Sequence, residues 1–223
     1  MRTKLTKNQF GFTIVELLMA TVVFSVVLLI VTTGIIKISQ SYYRGIIQNR
    51  TQEAVRNVSE EISRTIQLAN GQKVLSTANA GFGTSGGQFC VGAVRYTYGL
   101  NEKIGDPGAV GLKAEKVPPN DCNAASVPTN VTQLLSKNMR LLRFKVEPDP
   151  LTQDKTYRID IRVAYGDNDL LSHYNDDGSP IRPAPADVID DADGAVCKSG
   201  VSGGSFCATA QLDTLVKKRL SNI

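Results

Sequence analysis

The sequence predicts an α+β fold in which a long N-terminal helix carries an antiparallel sheet on its distal half. Three observations predict this fold. Residues 12–36 form an almost unbroken apolar run, and an apolar stripe at helical spacing continues to Ile66. Two later segments alternate apolar and polar side chains, as half-buried strands do. A chain of 223 residues is long enough for one such helix and one mixed domain.

The first predicted element is one very long helix. Residues 12–36 would extend about 37 Å, which is enough to cross a hydrocarbon core. From Lys37 the composition becomes mixed, but one apolar stripe persists, and no proline interrupts it before Asn70 and Gly71, where we expect the helix to end. The stripe consists of Ala54, Val55, Val58, Ile62 and Ile66.

The strands follow in the second half of the chain. We expect a glycine-rich loop over residues 76–88, a strand over 89–98, and irregular structure over 105–132. Residues 140–146 and 157–165 alternate more clearly and predict an antiparallel hairpin, because two prolines lie in the linker between them. In the first of these segments, the apolar face is expected to hold Leu141, Leu142, Phe144 and Val146, and the polar face Arg140, Arg143 and Lys145. One apolar face of this sheet is expected to cover the helix stripe.

The start of the chain departs from an ordinary secretory signal. Arg2, Lys4 and Lys7 precede the apolar run, and the junction between Gly11 and Phe12 lies before that run. A secretory signal has its cleavage site after the apolar region. Cleavage after Gly11 would keep the apolar segment and lower the formal net charge from +4 to +1. The net positive charge of the chain therefore comes mainly from the leader.

This N-terminal segment resembles the class III signal of type IV prepilins and type II secretion pseudopilins. The resemblance rests on Gly11, on Phe12 and on the Thr-Ile-Val-Glu stretch with its apolar continuation. It implies the pilin fold and a filament subunit, made as a membrane precursor, that is not an enzyme. A prepilin peptidase cuts after the glycine and methylates the new N-terminal phenylalanine. The partners it implies are that peptidase, other pilin subunits of the same filament and, before assembly, membrane lipid.

Glu16 lies four residues into the apolar segment, where a charge costs roughly 2.5–3.5 kcal/mol on insertion scales. After cleavage, the cationic amine of Phe12 could pair with Glu16 of a neighbouring subunit and fix the axial register of the two helices. The alternative is an incidental acid near the interfacial end of a signal anchor, where snorkelling makes the charge tolerable.

These features predict four parts of the chain. Residues 1–11 are a leader, 12–36 a transmembrane and assembly helix, 37–70 its amphipathic continuation, and 71–223 a globular head. The leader cations favour a cytoplasmic N-terminus. We therefore expect a single-pass protein of the cytoplasmic membrane with an extracytoplasmic head, which later enters a cell-surface or periplasmic filament.

The four cysteines all lie in the predicted head, and an even number there suggests two disulfides. Cys197 and Cys207 bracket a loop rich in glycine and serine, which favours their pairing and leaves Cys90 with Cys122. Zinc is the competing interpretation. The spacings contain no C-x₂-C pair and the chain has one histidine, so they offer little support for zinc or for Cys–His and Ser–His–Asp catalysis.

An acidic segment offers the remaining candidate site. Eight aspartates lie between residues 167 and 193, with Arg182 as the one basic side chain among them. They could supply oxygen ligands to calcium, or they could form a solvated loop with Asx turns. We expect no other cofactor. The calcium candidates are Asp167, Asp169, Asp190, Asp191 and Asp193.

A second, more diffuse resemblance concerns the C-terminal half. Residues 157–171 and 207–216 are similar to the ends of W- or J-type minor pilins, which implies a subunit of the tip or initiation complex. A different hypothesis is a permanently anchored extracytoplasmic domain that binds a ligand or calcium and keeps residues 1–11. A nucleic-acid-binding pilin would need a basic surface, for which Lys217, Lys218 and Arg219 are a short candidate.

Overall fold

A computed structural model describes residues 11–69, 75–76, 86–118, 127–149, 151–152, 155–172, 196–198 and 203–219. The chain divides into two compact units, Met1–Tyr42 and Tyr43–Ile223. A single helix, α1 (Ile14–Leu68), begins in the first unit and ends in the second. The predicted long helix is confirmed, and it ends just before Asn70 and Gly71, which lie outside the described residues.

In the first unit, the apolar side chains of α1 are exposed. Ile14, Leu29 and Ile30 each expose two thirds or more of their surface, and the neighbouring apolar residues are similar. Hydroxyl groups in this segment donate to carbonyl oxygens of the preceding turn of α1 itself, as Ser25 does to Thr21 at 2.8 Å and Thr32 to Leu28 at 2.7 Å. The segment therefore presents an apolar surface whose polar side chains are satisfied within the helix.

The second unit contains the strands and the last part of α1. The strands are β1 (Leu75–Ser76), β2 (Gly86–Val91), β3 (Val94–Gly99), β4 (Leu112–Lys116), β5 (Asn130–Gln133), β6 (Met139–Pro148), β7 (Thr156–Tyr165), β8 (Leu171–Ser172), β9 (Val196–Cys197) and β10 (Ala208–Lys217). Short 3₁₀ helices cover Asn168–Leu170 and Gly204–Phe206.

Among the described residues, the strand pairs are all antiparallel and form three sheets. The first has the order β1-β2-β3-β4-β5, the second has the order β10-β7-β6, and β8 pairs with β9. A parallel bridge between Leu100 and Leu141 connects the end of β3 to β6. The predicted hairpin is confirmed, because β6 and β7 pair antiparallel from Met139 opposite Tyr165 to Pro148 opposite Tyr157.

The main core lies between α1 and the two larger sheets. Val58, Ile62 and Ile66 of the predicted helix stripe are almost fully buried there, and they share one cluster with Leu141, Phe144, Ile159 and Ile161 of the β6–β7 hairpin. The apolar face of the sheet therefore covers the helix stripe, as the alternation of the two strands predicts.

A smaller second core lies near the other end of this hairpin. Leu142 was expected to share a face with Leu141, but an irregularity in the β6–β7 register between Leu141 and Arg143 assigns it to a different cluster. Arg140, expected on the polar face, is 1% exposed and donates to the Gly166 carbonyl at 2.9 Å. Burial lowers the pKa of its guanidinium. A β-bulge inserts one extra residue into a strand, so a prediction that assumes strict two-residue alternation assigns the residues beside it to the wrong face.

Two other sequence expectations were wrong. Residues 89–98 are not one strand but a hairpin, in which Gly92, at φ 63°, and Ala93 form the turn between β2 and β3. Glycine with positive φ at the first central position is the pattern of a type II′ turn. Residues 105–132 were expected to be irregular, yet they contain β4 and most of β5. Both strands are mostly polar and are held by backbone pairing, and in β4 Leu112 alone is fully buried in the main core.

Candidate functional site

The predicted processing and assembly residues lie at the start of α1. The backbone N–H of Thr13 donates to Oε2 of Glu16 at 3.0 Å, and the Thr13 hydroxyl donates to the same oxygen at 2.9 Å. The Glu16 backbone N–H in turn donates to Oγ1 of Thr13 at 3.3 Å. This reciprocal arrangement is a capping box, which satisfies N–H groups that the first turn of a helix leaves unpaired.

Sequence analysis missed the role of Thr13. The signal was present, because Thr13-Ile14-Val15-Glu16 fits the capping pattern [ST]-x-x-[DE] directly before an apolar run. Glu16 therefore has a function within its own chain, in addition to the predicted pairing with a neighbour. Both side-chain contacts from Thr13 fall on Oε2, so the second carboxylate oxygen, Oε1, can accept another donor.

The surroundings of this box are open. Phe12 exposes 78% of its surface, and a methyl group added at Gly11 would meet no atom within 4 Å. The fold therefore makes no steric demand for glycine at position 11. Among the described residues, one helix is long and apolar enough to cross a membrane, and it is α1.

Residues 6–32 match the prokaryotic N-terminal methylation motif. This motif is the class III prepilin signal of type IV pilins and pseudopilins. The match supports a pilin-like or pseudopilin substrate of prepilin peptidase, and the family that carries the motif is structural, not catalytic. With the apolar helix, it indicates a membrane-anchored, single-pass protein. No curated protein and no solved structure matches the chain.

The pilin-like layout of a long helix with antiparallel sheets packed on it agrees with this signal. The head also contains the disulfide between Cys197 and Cys207 that the loop composition predicts. Cys207 is 3% exposed and belongs to the second core. Cys90 is disulfide-bonded as well, and Cys122 lies outside the described residues.

The calcium candidates divide between described and undescribed parts of the chain. Asp190, Asp191 and Asp193 lie outside the described residues. Asp167 instead accepts a hydrogen bond from the Lys103 ammonium at 2.9 Å, which raises the pKa of Lys103. The described residues contain no cluster of three metal-ligating side chains.

Asp169 also has a cationic neighbour. Its main-chain carbonyl oxygen accepts a hydrogen bond from the Lys198 ammonium at 2.8 Å. Ammonium groups beside both described candidates oppose the approach of a metal cation. At these two positions the geometry favours the solvated-loop interpretation over a calcium site.

The basic trio at the C-terminus does not form one cationic surface. Lys217 and Arg219 are exposed, but Lys218 is 7% exposed and its backbone N–H donates to the Lys155 carbonyl at 2.9 Å. The structure therefore gives no support to a nucleic-acid site built on these three residues.

Proposed function

We propose that this protein is a structural subunit, of the minor class, of a type IV pilus or a pilus-like filament of secretion or competence. The observation that carries the proposal is that the methylation motif lies on a helix that begins with a capping box. The apolar side chains of this helix segment are exposed and are not covered by the rest of the described chain. An apolar helical surface of this length needs lipid or other helices around it. A precursor that moves from membrane to filament supplies both.

The proposed processing step is cleavage of the peptide bond between Gly11 and Phe12, followed by N-methylation of Phe12. Since a larger side chain at Gly11 meets nothing in the fold, a requirement for glycine there would come from the peptidase. Cleavage removes residues 1–11 and creates a cationic amine next to the capping box of Thr13 and Glu16.

The proposed assembly step uses Glu16 twice. Oε2 remains on Thr13 of the same chain, while Oε1 accepts the Phe12 amine of a neighbouring subunit. Two unit charges 4 Å apart attract by about 4 kcal/mol at an effective dielectric constant of 20, before desolvation is counted. The pair would fix the axial register between helices that otherwise present only apolar side chains to one another.

The minor role is supported by the C-terminal resemblance. Its residues belong to β7, to the 3₁₀ helix Asn168–Leu170 and to β10, which lie together in the second unit. In this proposal residues 12–36 assemble in the filament core, residues 37–70 continue the helix into the head, and residues 71–223 form the extracytoplasmic head.

Mass analysis of the N-terminus tests the proposal. The protein is isolated from cells with and without the prepilin peptidase, and its intact mass and N-terminal peptide are determined. We expect an N-methylated Phe12 terminus when the peptidase is present and a chain that keeps residues 1–11 when it is absent. Retention of residues 1–11 in both samples would refute the proposal and favour a permanently anchored binding domain.

Two variants separate processing from assembly. Gly11→Val should remain uncleaved although its head is folded, because position 11 makes no contact. Glu16→Gln keeps the size of the side chain but loses its charge, so it should be cleaved normally and recovered in the membrane instead of in sheared filaments. A Glu16→Gln chain that entered filaments at the wild-type level would contradict the proposed charge pair.

A further inference from the structure

The sheet formed by β10, β7 and β6 has two edges that differ in their protection. At the β6 edge, the bulge near Leu142 interrupts the strand and Pro148 is its last residue. The backbone N–H groups of Asn101 and Ile104 also donate to β6 carbonyls at 2.8 Å. At the other edge, the strand β10 pairs with β7 on its inner side through ten residues without a register shift, and it contains no proline. In the described parts of the chain, no strand pairs with the other side of β10.

Long, regular edge strands are templates for pairing with another chain, and proteins usually block them with prolines, bulges or central lysines. β10 has its one lysine at the last position, Lys217. α1 also leaves this edge accessible, since Leu212 and Thr214 of β10 line an open groove of about 430 Å³ beside Arg56 and Glu60 of the helix.

One hydrogen bond establishes which backbone groups of β10 face outward. The Lys218 N–H donates to the Lys155 carbonyl, which continues the β10–β7 ladder by one residue. Backbone groups alternate in direction along an antiparallel strand, so even-numbered residues of β10 bond to β7. The N–H and C=O groups of the odd-numbered residues, including Gln211, Asp213 and Leu215, therefore point to the open edge.

The side chains of these odd-numbered residues have a self-complementary order along β10. Asp213 is acidic, Lys217 is basic, and Leu215 lies midway between them with 63% of its surface exposed. When two such strands pair antiparallel about Leu215, the leucines meet each other and each Asp213 meets the Lys217 of the other copy. If the two strands were instead centred on Asp213, the two Asp213 side chains would lie opposite each other as like charges. If they were centred on Thr214, Asp213 of each copy would lie opposite Leu215 of the other.

We propose that β10 pairs antiparallel with β10 of a second copy of this chain, with Leu215 on the two-fold axis. The contact joins two three-stranded sheets into one six-stranded sheet, as the order β10-β7-β6 requires. Residues with outward backbone groups form hydrogen-bonded pairs, in which the two residues exchange both N–H···O=C bonds. Asp213 keeps its salt bridge to Arg158 and gains the partner's Lys217.

The geometry also defines how the two copies are oriented. A two-fold axis through a shared antiparallel edge is perpendicular to the sheet. The second-unit parts of the two copies of α1 therefore pack on the same face of the joined sheet and run in opposite directions. Neighbours in one filament have parallel helices. If the protein is a filament subunit, which is the proposed function, this contact therefore joins two filaments that run in opposite directions.

Cysteine cross-linking of the full chain in detergent tests the register. A cysteine at Leu215 should form a disulfide with its own counterpart, because the Cα atoms of a hydrogen-bonded pair are about 5.5 Å apart. Gln211→Cys is the matched control, since it lies on the same strand and is also exposed. We expect at least tenfold more linked dimer from Leu215→Cys under mild oxidation, with the 215–215 link identified by peptide mapping.

Equal linking of the two variants, or no linking of either, would overturn the proposal. A mixture of Asp213→Cys and Lys217→Cys chains should give heterodimers linked between positions 213 and 217. In a mixture of Asp213→Cys and Leu215→Cys chains, links between positions 213 and 215 would overturn the Leu215 register. The described native cysteines are all disulfide-bonded, so they offer no free thiol to the cross-linking reaction. Unprocessed chain serves equally well, so failure here is distinguishable from failure of the proposed processing.

A charge exchange separates this contact from association through the apolar helix. Asp213→Lys chains and Lys217→Asp chains should each oppose like charges in the dimer and sediment as monomers. An equimolar mixture restores two Lys–Asp pairs and should sediment as the dimer. The helix is unchanged in every sample, so dimers in all three samples would refute pairing through β10, as would monomers in the mixture. Thermal unfolding confirms that each variant is folded.

Discussion

The Tyr96 hydroxyl donates a hydrogen bond of 2.9 Å to Oγ1 of Thr65, and so connects β3 directly to α1. The Thr65 hydroxyl donates in turn to the Glu61 carbonyl at 2.9 Å, one turn back along the helix. Tyr96 is fully buried and stacks on Phe89 with ring centroids 5.0 Å apart. This short relay gives the helix and the sheet a specific polar contact within a mainly apolar interface.

The Tyr96–Thr65 bond predicts a loss of stability at high pH. Burial raises the pKa of Tyr96 to about 12, against 10.0 for an ordinary tyrosine. Between these pH values the unfolded chain has lost this proton and the folded chain keeps it, so stability decreases as the pH rises. The free energy of unfolding should fall by up to about 3 kcal/mol over this range, on the scale of about 1.4 kcal/mol per unit.

Tyr96→Phe is the control for this pH dependence. At neutral pH it should cost about 1 kcal/mol through the lost hydrogen bond, but its stability should decline less between pH 10 and 12 than that of the wild type. Denaturant unfolding of the full chain in detergent measures both quantities. Parallel pH curves for the two proteins would contradict the assignment to Tyr96.

The capping box predicts a local effect at the start of α1. Thr13→Ala removes the hydroxyl that holds Glu16, whereas Thr13→Ser keeps it. Loss of an N-terminal cap typically costs about 1 kcal/mol. Hydrogen exchange of residues 13–17 in detergent should therefore be about fivefold faster in Thr13→Ala and nearly unchanged in Thr13→Ser. Equal exchange in the two variants would show that the box does not stabilise the first turn.

The two ends of α1 should respond differently to the same substitution. Ile62 is 0% exposed in the main core, while Ile35 exposes 59% of its surface. Ile62→Ala should lower the free energy of unfolding of the head by about 2–5 kcal/mol, because it leaves a cavity. Ile35→Ala should leave it unchanged. Thermal unfolding followed by the near-ultraviolet signal of the tyrosines measures both, and similar losses would refute separate roles for the two segments.

The sequence was sufficient for the parts of the fold that apolar periodicity determines. The stripe of Val58, Ile62 and Ile66 and the β6–β7 hairpin were predicted because burial on one face requires their spacing. β4 and β10 were not predicted as strands, because each has few large apolar residues on its core-facing side and the rest of each strand is positioned by pairing with β3 and β7. Backbone pairing between segments distant in sequence leaves little trace in local composition.

The candidate site shows the same division. Gly11, Phe12 and Glu16 were recognisable because they form a contiguous motif. The hydrogen bonds between Thr13 and Glu16 follow from a separate rule of helix capping, which applies to four adjacent residues. The outward direction of the β10 backbone could not be predicted, because it depends on the register with β7.

The second predicted disulfide can be assigned by peptide mapping. Cys90 is disulfide-bonded and 3% exposed, and Cys122 is the partner that the sequence predicts. Digestion of the unreduced chain should release one linked peptide pair containing Cys90 and Cys122 and another containing Cys197 and Cys207. A peptide linking Cys90 to any other cysteine would contradict the predicted connectivity.

The bond between Cys197 and Cys207 should stabilise the second core more than the first. It closes a loop of ten residues, and Phe206 within that loop packs on Tyr43 with ring centroids 5.7 Å apart. Removing such a bond typically costs about 2–4 kcal/mol.

We expect the double variant Cys197→Ser with Cys207→Ser to lose protection from hydrogen exchange around Leu170 and residues 203–208. The main core should keep its protection, because Ile62 and its neighbours do not contact this loop's cluster. Uniform loss across both cores would show that the head unfolds as one cooperative unit.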